Sequence, residues 1–360
     1  MPSLFDPVDI GGITVRNRIW LSPMCQSSVE TFDGVPADWH LVHLGGRAAG
    51  GFGLVLTEAT AVCPEGRISP YDTGLWTDEQ AMAWSRITPF LREYGATPAI
   101  QLSHAGRKAS AWMPGRGVGP IAVADGGWEA LGPSPTAFDD HPVPREMSAQ
   151  DIADVHSAFV DATRRADAAG FDVVEIHAAH GYLLHEFLSP LANQRVDAYG
   201  GIFDNRIRLL IEVIDGVRAA LPERKGLLVR LSATDWVEGG WTPEETVELA
   251  VRLAGRGVDL IDVSSGGLDP RQDIPVGPGY QVPFARDVRA EAGVPAGAVG
   301  LISDPRHAQS LLDDGSADVI LLGRAALRES AWPLRAAHEL GLPPTAAPYP
   351  RQYRRAAWRA

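Results

Sequence analysis

The chain has 360 residues, of which 45% are hydrophobic and 21% are charged, a composition typical of a globular enzyme. Its formal net charge of −13 argues against a nucleic-acid groove, because phosphate contacts need clustered lysine and arginine. Two cysteines, Cys25 and Cys63, are too few for a secreted disulfide framework. The N-terminus lacks the features of a signal peptide, and no apolar run is long enough to span a bilayer. We therefore expect a cytoplasmic protein without nucleic-acid or membrane partners.

Short apolar runs typical of β-strands alternate with longer amphipathic segments. The strand-like runs are Ile19–Met24, Leu54–Ala59, Thr97–Ser103, Asp172–His177, Leu227–Leu231, Leu260–Ser264, Ala296–Leu301 and Asp318–Leu322. Such an alternation indicates a parallel sheet that helices cover. Eight units over this length favour an α/β fold of the (β/α)8 TIM-barrel type, in one domain that spans residues 1–360. An open doubly wound sheet is the alternative, but the Gly-rich dinucleotide turn expected after its first strand is absent.

Helix-like segments fill the intervals between these strands. They are Asp78–Tyr94, Ala149–Ala169, Asn205–Leu221, Pro243–Gly255 and Pro305–Asp313. Thr242 precedes a proline at the first helical position, and Ser148 and Asp151 have the spacing of a capping box. Glycine accepts the left-handed conformation that ends a helix. It follows three of the helix-like segments, at Gly170, Gly257 and Gly315.

Two segments do not fit the repeat. Asp6–Arg18 precedes the first strand and predicts a hairpin that covers the bottom of the barrel. Gly106–Glu146 is rich in Gly, Pro and Trp and is too long for an ordinary loop. Because it follows the third strand, we expect it at the C-terminal face, where barrel active sites lie. The C-terminal tail carries a cluster of basic side chains that is either solvated or engaged in a contact: Arg351, Arg354, Arg355 and Arg359.

The ends of the predicted strands carry an amide, two histidines, arginines and several glycines. This set suits a flat, polar cofactor with a phosphate group. In barrels the phosphate often lies between the loops after strands seven and eight. Gly300 follows the seventh strand here, and Gly323 and Arg324 follow the eighth. Glycine exposes backbone N–H donors and arginine adds a charged fork, so both loops fit a phosphate site.

His177 and His180 are open to more than one interpretation. With Glu175 or Glu186 they could form a metal site. Two side chains three residues apart at the end of a strand, however, point to a common ion only if the chain turns there. They could also be a structural pair of histidines, or they could bind an organic anion. The amide, the arginines and the glycines at the neighbouring strand ends favour the organic anion. Tyr182 is either a packing residue or a proton donor, since a phenol is neutral near pH 7. Cys25 is either a small buried residue or a reactive thiol.

Several segments resemble the old yellow enzyme family of FMN-dependent NADPH dehydrogenases and ene-reductases, most of all its bacterial, thermophilic-like branch. They are SPMCQ (22–26), QLSHAGRK (101–108), EIHAAHGYLLHEFLSPLANQRVDAYGG (175–201), GAVGLI (297–302) and ILLGRAALR (320–328). The resemblance extends from about Leu4 to Arg355, and HAAHGYLLHEFLSP is a highly specific block. It implies that FMN lies on the mouth of the barrel and that NADPH or NADH is the co-substrate.

The resemblance also implies roles for the residues at the strand ends. The isoalloxazine ring would contact Ser22, Pro23, Met24, Cys25, Ala59 and Gln101. Arg230 would lie near N1 and the C2 carbonyl, where a cation stabilises the negative charge of the reduced flavin. The phosphate would be held by Gly300, Gly323 and Arg324. Cys25 would tune the flavin potential, and no metal is implied.

For the substrate, the resemblance implies that His177 and His180 bind the carbonyl oxygen of an α,β-unsaturated compound. Its β-carbon would take a hydride, and Tyr182 would protonate its α-carbon. The family pattern has a tyrosine where this chain has Ser27, which predicts a larger pocket or a differently anchored substrate. In the tail, about residues 345–360, Arg355 would reach the active site of a neighbouring subunit. We therefore expect a homodimer or homotetramer.

Three other functions stay open at this stage. The same fold could run in reverse, as a flavin-dependent desaturase or aromatising enzyme, and the presence of Ser27 keeps this alternative open. A non-catalytic FMN-binding protein is a second alternative, although His177, His180 and Tyr182 argue against it. A metal-dependent barrel hydrolase is the third.

Overall fold

The computed structural model describes residues 1–113 and 115–358, so Arg359 of the predicted basic tail lies outside the described residues. Near the N-terminus, Val8–Ile10 (β1) and Ile13–Val15 (β2) form an antiparallel hairpin. Gly11 turns the chain with φ +57°. Ile10 and Val15 pack with side chains of the barrel interior such as Trp20. The predicted hairpin at the bottom of the barrel is therefore confirmed.

Within the described residues, eight parallel strands close into a barrel. Ten strands follow the hairpin in the described residues, and eight of them belong to the barrel. In chain order the ten are Ile19–Leu21 (β3), Leu54–Ala61 (β4), Thr97–Ser103 (β5), Leu131–Gly132 (β6), Arg145–Glu146 (β7), Val173–Ala178 (β8), Gly226–Ser232 (β9), Leu260–Ser264 (β10), Ala296–Ala298 (β11) and Val319–Leu322 (β12). The short β6 and β7 pair with each other, and the others form the barrel, in which β12 pairs with β3. Every residue of these eight barrel strands is buried apart from Thr97, which fits a sheet covered on both sides. The predicted (β/α)8 fold is confirmed.

Helices cover the outside of the barrel. They are Asp38–Ala49 (α1), Asp78–Trp84 (α2), Thr88–Glu93 (α3), Ala149–Ala168 (α4), Leu183–Leu188 (α5), Phe203–Arg206 (α6), Arg208–Ala220 (α7), Pro243–Ala254 (α8), Val282–Ala292 (α9), Pro305–Asp313 (α10), Arg324–Arg328 (α11) and Trp332–Glu339 (α12). The capping boxes at Ser148 and Thr242 are both formed. Gly170, Gly257 and Gly315 have φ of +86°, +74° and +75°, as their helix-ending positions predict. None of the helices in the described part of the chain is long and apolar enough to cross a membrane.

The prediction of one helix over Asp78–Tyr94 is wrong, because two helices, α2 and α3, occupy this segment. Pro89 stands in the first turn of α3. A proline there lacks the N–H that a continuous helix needs, and its ring would clash with the carbonyl group four residues earlier. Two strands also end earlier than predicted. Ile19–Met24 stops before Pro23, and Ala296–Leu301 stops before Gly300 and Leu301, both of which have positive φ.

The long segment 106–146 lies at the carboxyl ends of the strands, as predicted. Arg107 Nη2 donates to the carbonyl oxygen of Leu268, 2.7 Å away, in the loop after β10. The backbone N–H of Arg107 donates to Glu186 Oε1 on α5 at 2.8 Å. These contacts tie the start of the segment to the loop after β10 and to α5 at the same barrel face.

Candidate active site

A cavity of about 420 Å³ opens at the carboxyl ends of the barrel strands. It is lined by these predicted cofactor residues: Ser22, Pro23, Met24, Arg230, Gly300, Gly323 and Arg324. His180, which was predicted to bind substrate, lines the same cavity, together with Ser264 and Gln281. The other three predicted cofactor residues do not line the cavity. Cys25 follows β3, Ala59 lies in β4 and Gln101 lies in β5.

One end of the cavity suits an anion. Gly300 has φ +124°, and a Cβ atom there would come within 3.1 Å of Gln281 Nε2 and 3.2 Å of the Tyr280 ring. Gly323 immediately precedes α11, where backbone N–H groups lack helical partners. The exposed Arg324 adds a guanidinium group beside them. Backbone donors and a forked cation together fit a phosphate monoester such as that of FMN.

Arg230 is the cation deepest in this cavity. It lies on β9 in register with Asp262 on β10 and His177 on β8. Its Nε atom is 3.1 Å from Asp262 Oδ2, and both side chains are buried. A guanidinium in this position faces whatever occupies the cavity, and it stabilises negative charge there because little water screens it.

Gln101 and Ala59 lie beside each other in the register of β4 and β5. Gln101 is buried, and its Nε2 donates to Glu175 Oε1 at 2.7 Å. The amide is therefore oriented by a carboxyl group behind it. This bond leaves the amide oxygen of Gln101 available to a donor on a cofactor edge.

The two histidines and the tyrosine of the HAAHGY block lie together. The chain turns at His180, which has φ +59°. This is the turn that His177 and His180 need if both side chains are to point to the same place. The His177 ring is 5.0 Å from the ring of His180 and 5.0 Å from that of Tyr182, and both pairs are edge-to-face. Within the described residues, no group of three or more His, Cys, Asp or Glu side chains is arranged to hold a metal ion.

The imidazoles are neutral. Burial and then the charge of Arg230 hold the pKa of His177 and that of His180 well below their usual value. The N–H of Ala179 donates to His177 Nδ1 at 3.2 Å, so the single proton of this neutral ring is on Nε2. His177 can therefore donate a hydrogen bond from Nε2 to an oxygen atom. His180 Nε2 lies 2.7 Å from Ser264 Oγ, at the cavity wall.

Tyr182 and Cys25 are both protonated. Burial raises the pKa of the Tyr182 phenol well above its usual value, with further contributions from Cys25 and Asp72. Burial also raises the pKa of the Cys25 thiol, and the charges of Asp72 and Glu58 add to this effect. Cys25 is half-buried, and a thiol that stays protonated beside two carboxyl groups is a poor nucleophile.

Ser27, predicted to contact substrate, is held within a network of acids. It has φ +48°, and its hydroxyl donates to Asp72 Oδ1 at 3.3 Å. The N–H groups of Gln26 and Ser27 donate to Glu58 Oε2 at 2.8 and 3.3 Å. His40 Nε2 lies 3.1 Å from the other oxygen of Glu58. The hydroxyl of Ser27 is thus engaged by Asp72, and only 7% of the residue is exposed.

Sequence reasoning did not assign a role to Lys108, although it closes the QLSHAGRK segment. Its Nζ donates to the carbonyl oxygen of His180 at 2.9 Å and to that of Gly267. It also lies 4.1 Å from the Phe138 ring and 5.7 Å from the Tyr182 ring. Burial lowers the pKa of Lys108 to about 8. This ammonium group fixes the left-handed turn at His180 from behind.

A second support for the turn was also missed. The N–H of Gly181 donates to His185 Nδ1 at 2.9 Å, and His185 Nε2 is 2.9 Å from Asp235 Oδ1. Both side chains are completely buried. Asp235 is itself held by Ser189 Oγ at 2.6 Å. The turn that carries His180 and Tyr182 therefore rests on a buried imidazole–carboxylate pair, which only long-range contacts could reveal.

Arg355 lies away from this cavity. It is exposed in a 3-10 turn, Arg351–Ala356, and its neighbour Gln352 donates to the Tyr94 hydroxyl at 3.1 Å, near the start of β5. Trp358 stacks on His338 with a ring distance of 5.2 Å. The tail thus packs along the outside of the barrel, and Arg355 is absent from the described lining of its own chain's cavity.

Residues 3–342 match the model of the NADH:flavin oxidoreductase / NADH oxidase family. The chain is 46% identical over 357 residues to an NADPH dehydrogenase from Geobacillus thermodenitrificans, covering 99% of this chain and 98% of that protein. Its fold is similar to that of morphinone reductase in complex with tetrahydroNAD, with TM-score 0.78, 28% identity and coverage of 97% and 98%. It is also similar to the old yellow enzyme homologue from Zymomonas mobilis, with TM-score 0.78, 29% identity and coverage of 97% and 99%.

Lys108→Met keeps an unbranched stem but removes the cation and its two hydrogen bonds to carbonyl oxygens. A hydrogen bond from a charged group contributes about 1.5–3 kcal/mol. We expect the variant to bind a small phenol, whose oxygen can accept from His177 Nε2, about 10–100-fold more weakly, because the turn at His180 loosens. Equilibrium dialysis measures this affinity, and FMN affinity should stay within about twofold of wild type.

Lys108→Arg is the matched control, since it retains a cation and donors and should lose much less phenol affinity. A Lys108→Met protein that bound phenol as tightly as wild type would contradict the assigned support of the turn.

Proposed function

Because the chain belongs to the NADH:flavin oxidoreductase / NADH oxidase family, we propose that it reduces the activated C=C bond of α,β-unsaturated carbonyl compounds. As a member of this family it is an FMN-dependent oxidoreductase of the old yellow enzyme type, with NADPH or NADH as co-substrate. When bound, FMN accepts a hydride from the nicotinamide and supplies one to the β-carbon of the substrate. The observation that carries the proposal is the neutral His177 imidazole, with its Nε2 proton free to donate, beside the Tyr182 phenol.

We propose that the cavity residues hold FMN in the following way. Gly300, Gly323 and Arg324 bind the phosphate through backbone N–H groups and a guanidinium. Arg230 lies beside the part of the ring that becomes negative on reduction. The remaining contacts come from Ser22, Pro23, Met24, Cys25, Ala59 and Gln101. Support comes from the volume of the cavity and from its buried cation, because a small site with Arg230 at its base suits a ring that gains negative charge.

His177 and His180 bind the carbonyl oxygen of the substrate. The Nε2–H of His177 is available for this bond, and His180 contributes its own ring from the turn. Negative charge develops on that oxygen when the β-carbon takes a hydride, so donors aimed at it are most effective in the transition state. Both rings are neutral, and they therefore donate without attracting a counter-ion.

Tyr182 supplies the proton for the α-carbon. Its phenol is kept protonated by burial, and the charge of Arg230 favours the phenolate that remains after the proton has left. The Tyr182 ring lies edge-to-face against the His177 ring at 5.0 Å, so the donor is close to the group that binds the carbonyl oxygen. Solvent then returns a proton to Tyr182.

The double variant His177→Ala/His180→Ala tests the substrate anchor. Two hydrogen bonds to a developing oxyanion are lost, each worth about 10²–10³-fold in rate. We expect the saturated ketone to form from 2-cyclohexenone at least about 10²-fold more slowly, with KM raised. The assay follows anaerobic NADPH consumption and the product by gas chromatography. His156→Ala, at a half-buried position of α4 that does not line the cavity, is the control and should be unaffected.

The same assay separates ene reduction from desaturation. If the wild-type protein left 2-cyclohexenone untouched but oxidised a saturated ketone to the enone or phenol in the presence of oxygen, the reverse reaction would be its activity. If neither reaction occurred in FMN-loaded protein, the proposed function would fail altogether.

Tyr182→Phe removes the proton donor but keeps the ring. General acid catalysis contributes about 10²–10⁴-fold, so we expect the reaction with 2-cyclohexenone to slow by about that factor. The reaction with NADPH needs no proton from Tyr182 and should change by less than about twofold. Stopped-flow absorbance of the flavin measures both half-reactions separately. Tyr199→Phe, outside the cavity, serves as the control, and equal slowing of both half-reactions would argue against the role.

We further propose that Arg355 completes the substrate site of a neighbouring subunit in a homodimer or homotetramer. Support comes from the exposed tail, where Tyr353 is 56% and Trp358 45% exposed although both are aromatic. Exposed aromatic side chains next to arginines are typical of protein interfaces.

Arg355→Ala is expected to raise the KM for 2-cyclohexenone about tenfold, which corresponds to about 1.4 kcal/mol, with little change in kcat. Arg351→Ala, in the same exposed turn, is the control. Sedimentation velocity measures the assembly, and a monomer with full activity would rule the shared site out.

A further inference from the structure

Three ionisable side chains meet inside the barrel behind the cavity. Arg230 on β9 is in register with Asp262 on β10 and with His177 on β8. Glu175 lies two residues before His177, and residues two apart on a strand point to the same side. Glu175 and Asp262 are 0% exposed and Arg230 is 5% exposed. One permanent cation therefore faces two carboxyl groups that water does not reach.

The hydrogen bonds of this cluster are incomplete. Glu175 Oε1 accepts from Gln101 Nε2 on β5, but Glu175 Oε2 has no hydrogen-bond donor in the described part of the chain. The same holds for both carboxyl oxygens of Asp262, although Arg230 Nε is 3.1 Å from Oδ2. Leaving a buried carboxylate without donors is costly, and two of them beside one cation leave an uncompensated negative charge.

The cluster therefore retains a proton at neutral pH. Burial, and then the charge of Asp262, raise the pKa of Glu175, while Arg230 lowers it. Burial likewise raises the pKa of Asp262 against the effect of Arg230. The other side chains facing Glu175 are the neutral Gln101 from β5 and the neutral His177 from β8. Two carboxyl groups thus share one proton and one guanidinium, and they titrate as a unit.

We propose that Glu175 and Asp262 are positioning residues that share Arg230 with the flavin and take up a proton when the flavin becomes negatively charged. The inference rests on the proposed location of Arg230 beside the ring. A negative ring attracts the guanidinium and weakens its stabilisation of the two carboxyl groups. Their affinity for a proton then rises, and the proton uptake compensates part of the new charge.

The balance of this step is simple. Hydride transfer from NADPH would bring two electrons and one proton together and would leave the bound cofactor with one more negative charge. In the pH range where the oxidised cluster is ionised, one of its carboxylates then takes a proton from hydronium or a buffer acid, so that one O–H bond forms on the carboxyl group as one breaks in the donor. Once the substrate has taken up the hydride, the cluster would return this proton to solvent. NADPH is the only reductant required.

The sign of the effect defines its pH range. Below the pKa of the oxidised cluster the shared proton is already present in both redox states, and above the pKa of the reduced cluster it is absent in both. Extra uptake occurs only between these two values. Because burial raises both carboxyl pKa values, this range lies above the usual carboxyl range, toward neutral and alkaline pH.

The experiment is a spectroelectrochemical titration of the FMN-loaded protein between about pH 6 and pH 10, where the oxidised cluster would pass from protonated to ionised. Reduction with two electrons and one proton shifts the redox equilibrium about tenfold per pH unit, and an extra proton makes this about a hundredfold. We expect wild type to show such a steep range. Glu175→Gln and Asp262→Asn should each move it to lower pH, since a single carboxylate beside Arg230 ionises more easily. The double variant should lose it.

Glu186→Gln is the matched control. Glu186 is also a completely buried glutamate, and burial raises its pKa to about 8, but it accepts from the Arg107 backbone and does not contact Arg230. This variant should keep the steep range of wild type. Ionisation of the ring itself persists in the Glu175→Gln/Asp262→Asn double variant and can be subtracted.

A constant tenfold slope in wild type would overturn the inference. So would a steep range that remains in the double variant after the ring's own ionisation has been subtracted, or one that disappears in Glu186→Gln. Arg230→Ala tests the position of Arg230 beside the ring separately from proton uptake by Glu175 and Asp262. If its FMN affinity and potential equal those of wild type, Arg230 is not beside the ring and the premise fails. Enone reduction is measured separately, so its presence or absence decides the proposed function independently of the proton count.

Discussion

Closure of the barrel is the constraint on which the site depends. Residues that are about 300 positions apart in sequence, such as Ser22 and Arg324, meet because β12 pairs with β3 and completes the ring of strands. All eight barrel strands point the same way, so their carboxyl ends share one rim. The opposite end is filled by apolar side chains of the N-terminal hairpin, including Ile10 and Val15. Because the hairpin closes that end with apolar packing, the residues at the opposite rim are available for chemistry.

Much of this architecture could be predicted because its signals are local. The alternation of apolar and amphipathic segments, the capping residues and the helix-ending glycines located every barrel strand and several helices. The errors at Pro89, Pro23 and Gly300 arose where a single residue ends a helix or a strand. The positions of Gly323 and Arg324 after the last strand followed from the same pattern. Roles at the site came from the resemblance of motifs. Lys108, Asp235 and Asp262 were missed because their importance depends on contacts with residues distant in sequence.

The left-handed turn at His180 shows how a strained conformation is maintained at such a site. A non-glycine residue with positive φ costs about 1–3 kcal/mol and persists only when its surroundings determine it. Here the N–H of His180 donates to Ser232 Oγ at 2.9 Å, and its carbonyl oxygen accepts from Lys108. Both backbone groups of the strained residue are therefore satisfied from outside the loop. The result is a perpendicular pair of imidazoles that a regular strand could not present.

Exclusion of water gives the ionisable groups of the site their charge states. Burial keeps His177 and His180 neutral and Tyr182 protonated, and the same burial makes two ionised carboxyl groups beside Arg230 unfavourable. A guanidinium cannot lose its proton, so the carboxyl groups must adjust instead. Any negative charge that enters the cavity therefore competes with them for Arg230, because the dry interior offers no solvent to screen it. With Arg230 beside the carboxyl groups and, in the proposed site, beside the cofactor, the charge of the bound cofactor is linked to the number of protons that the two carboxyl groups hold.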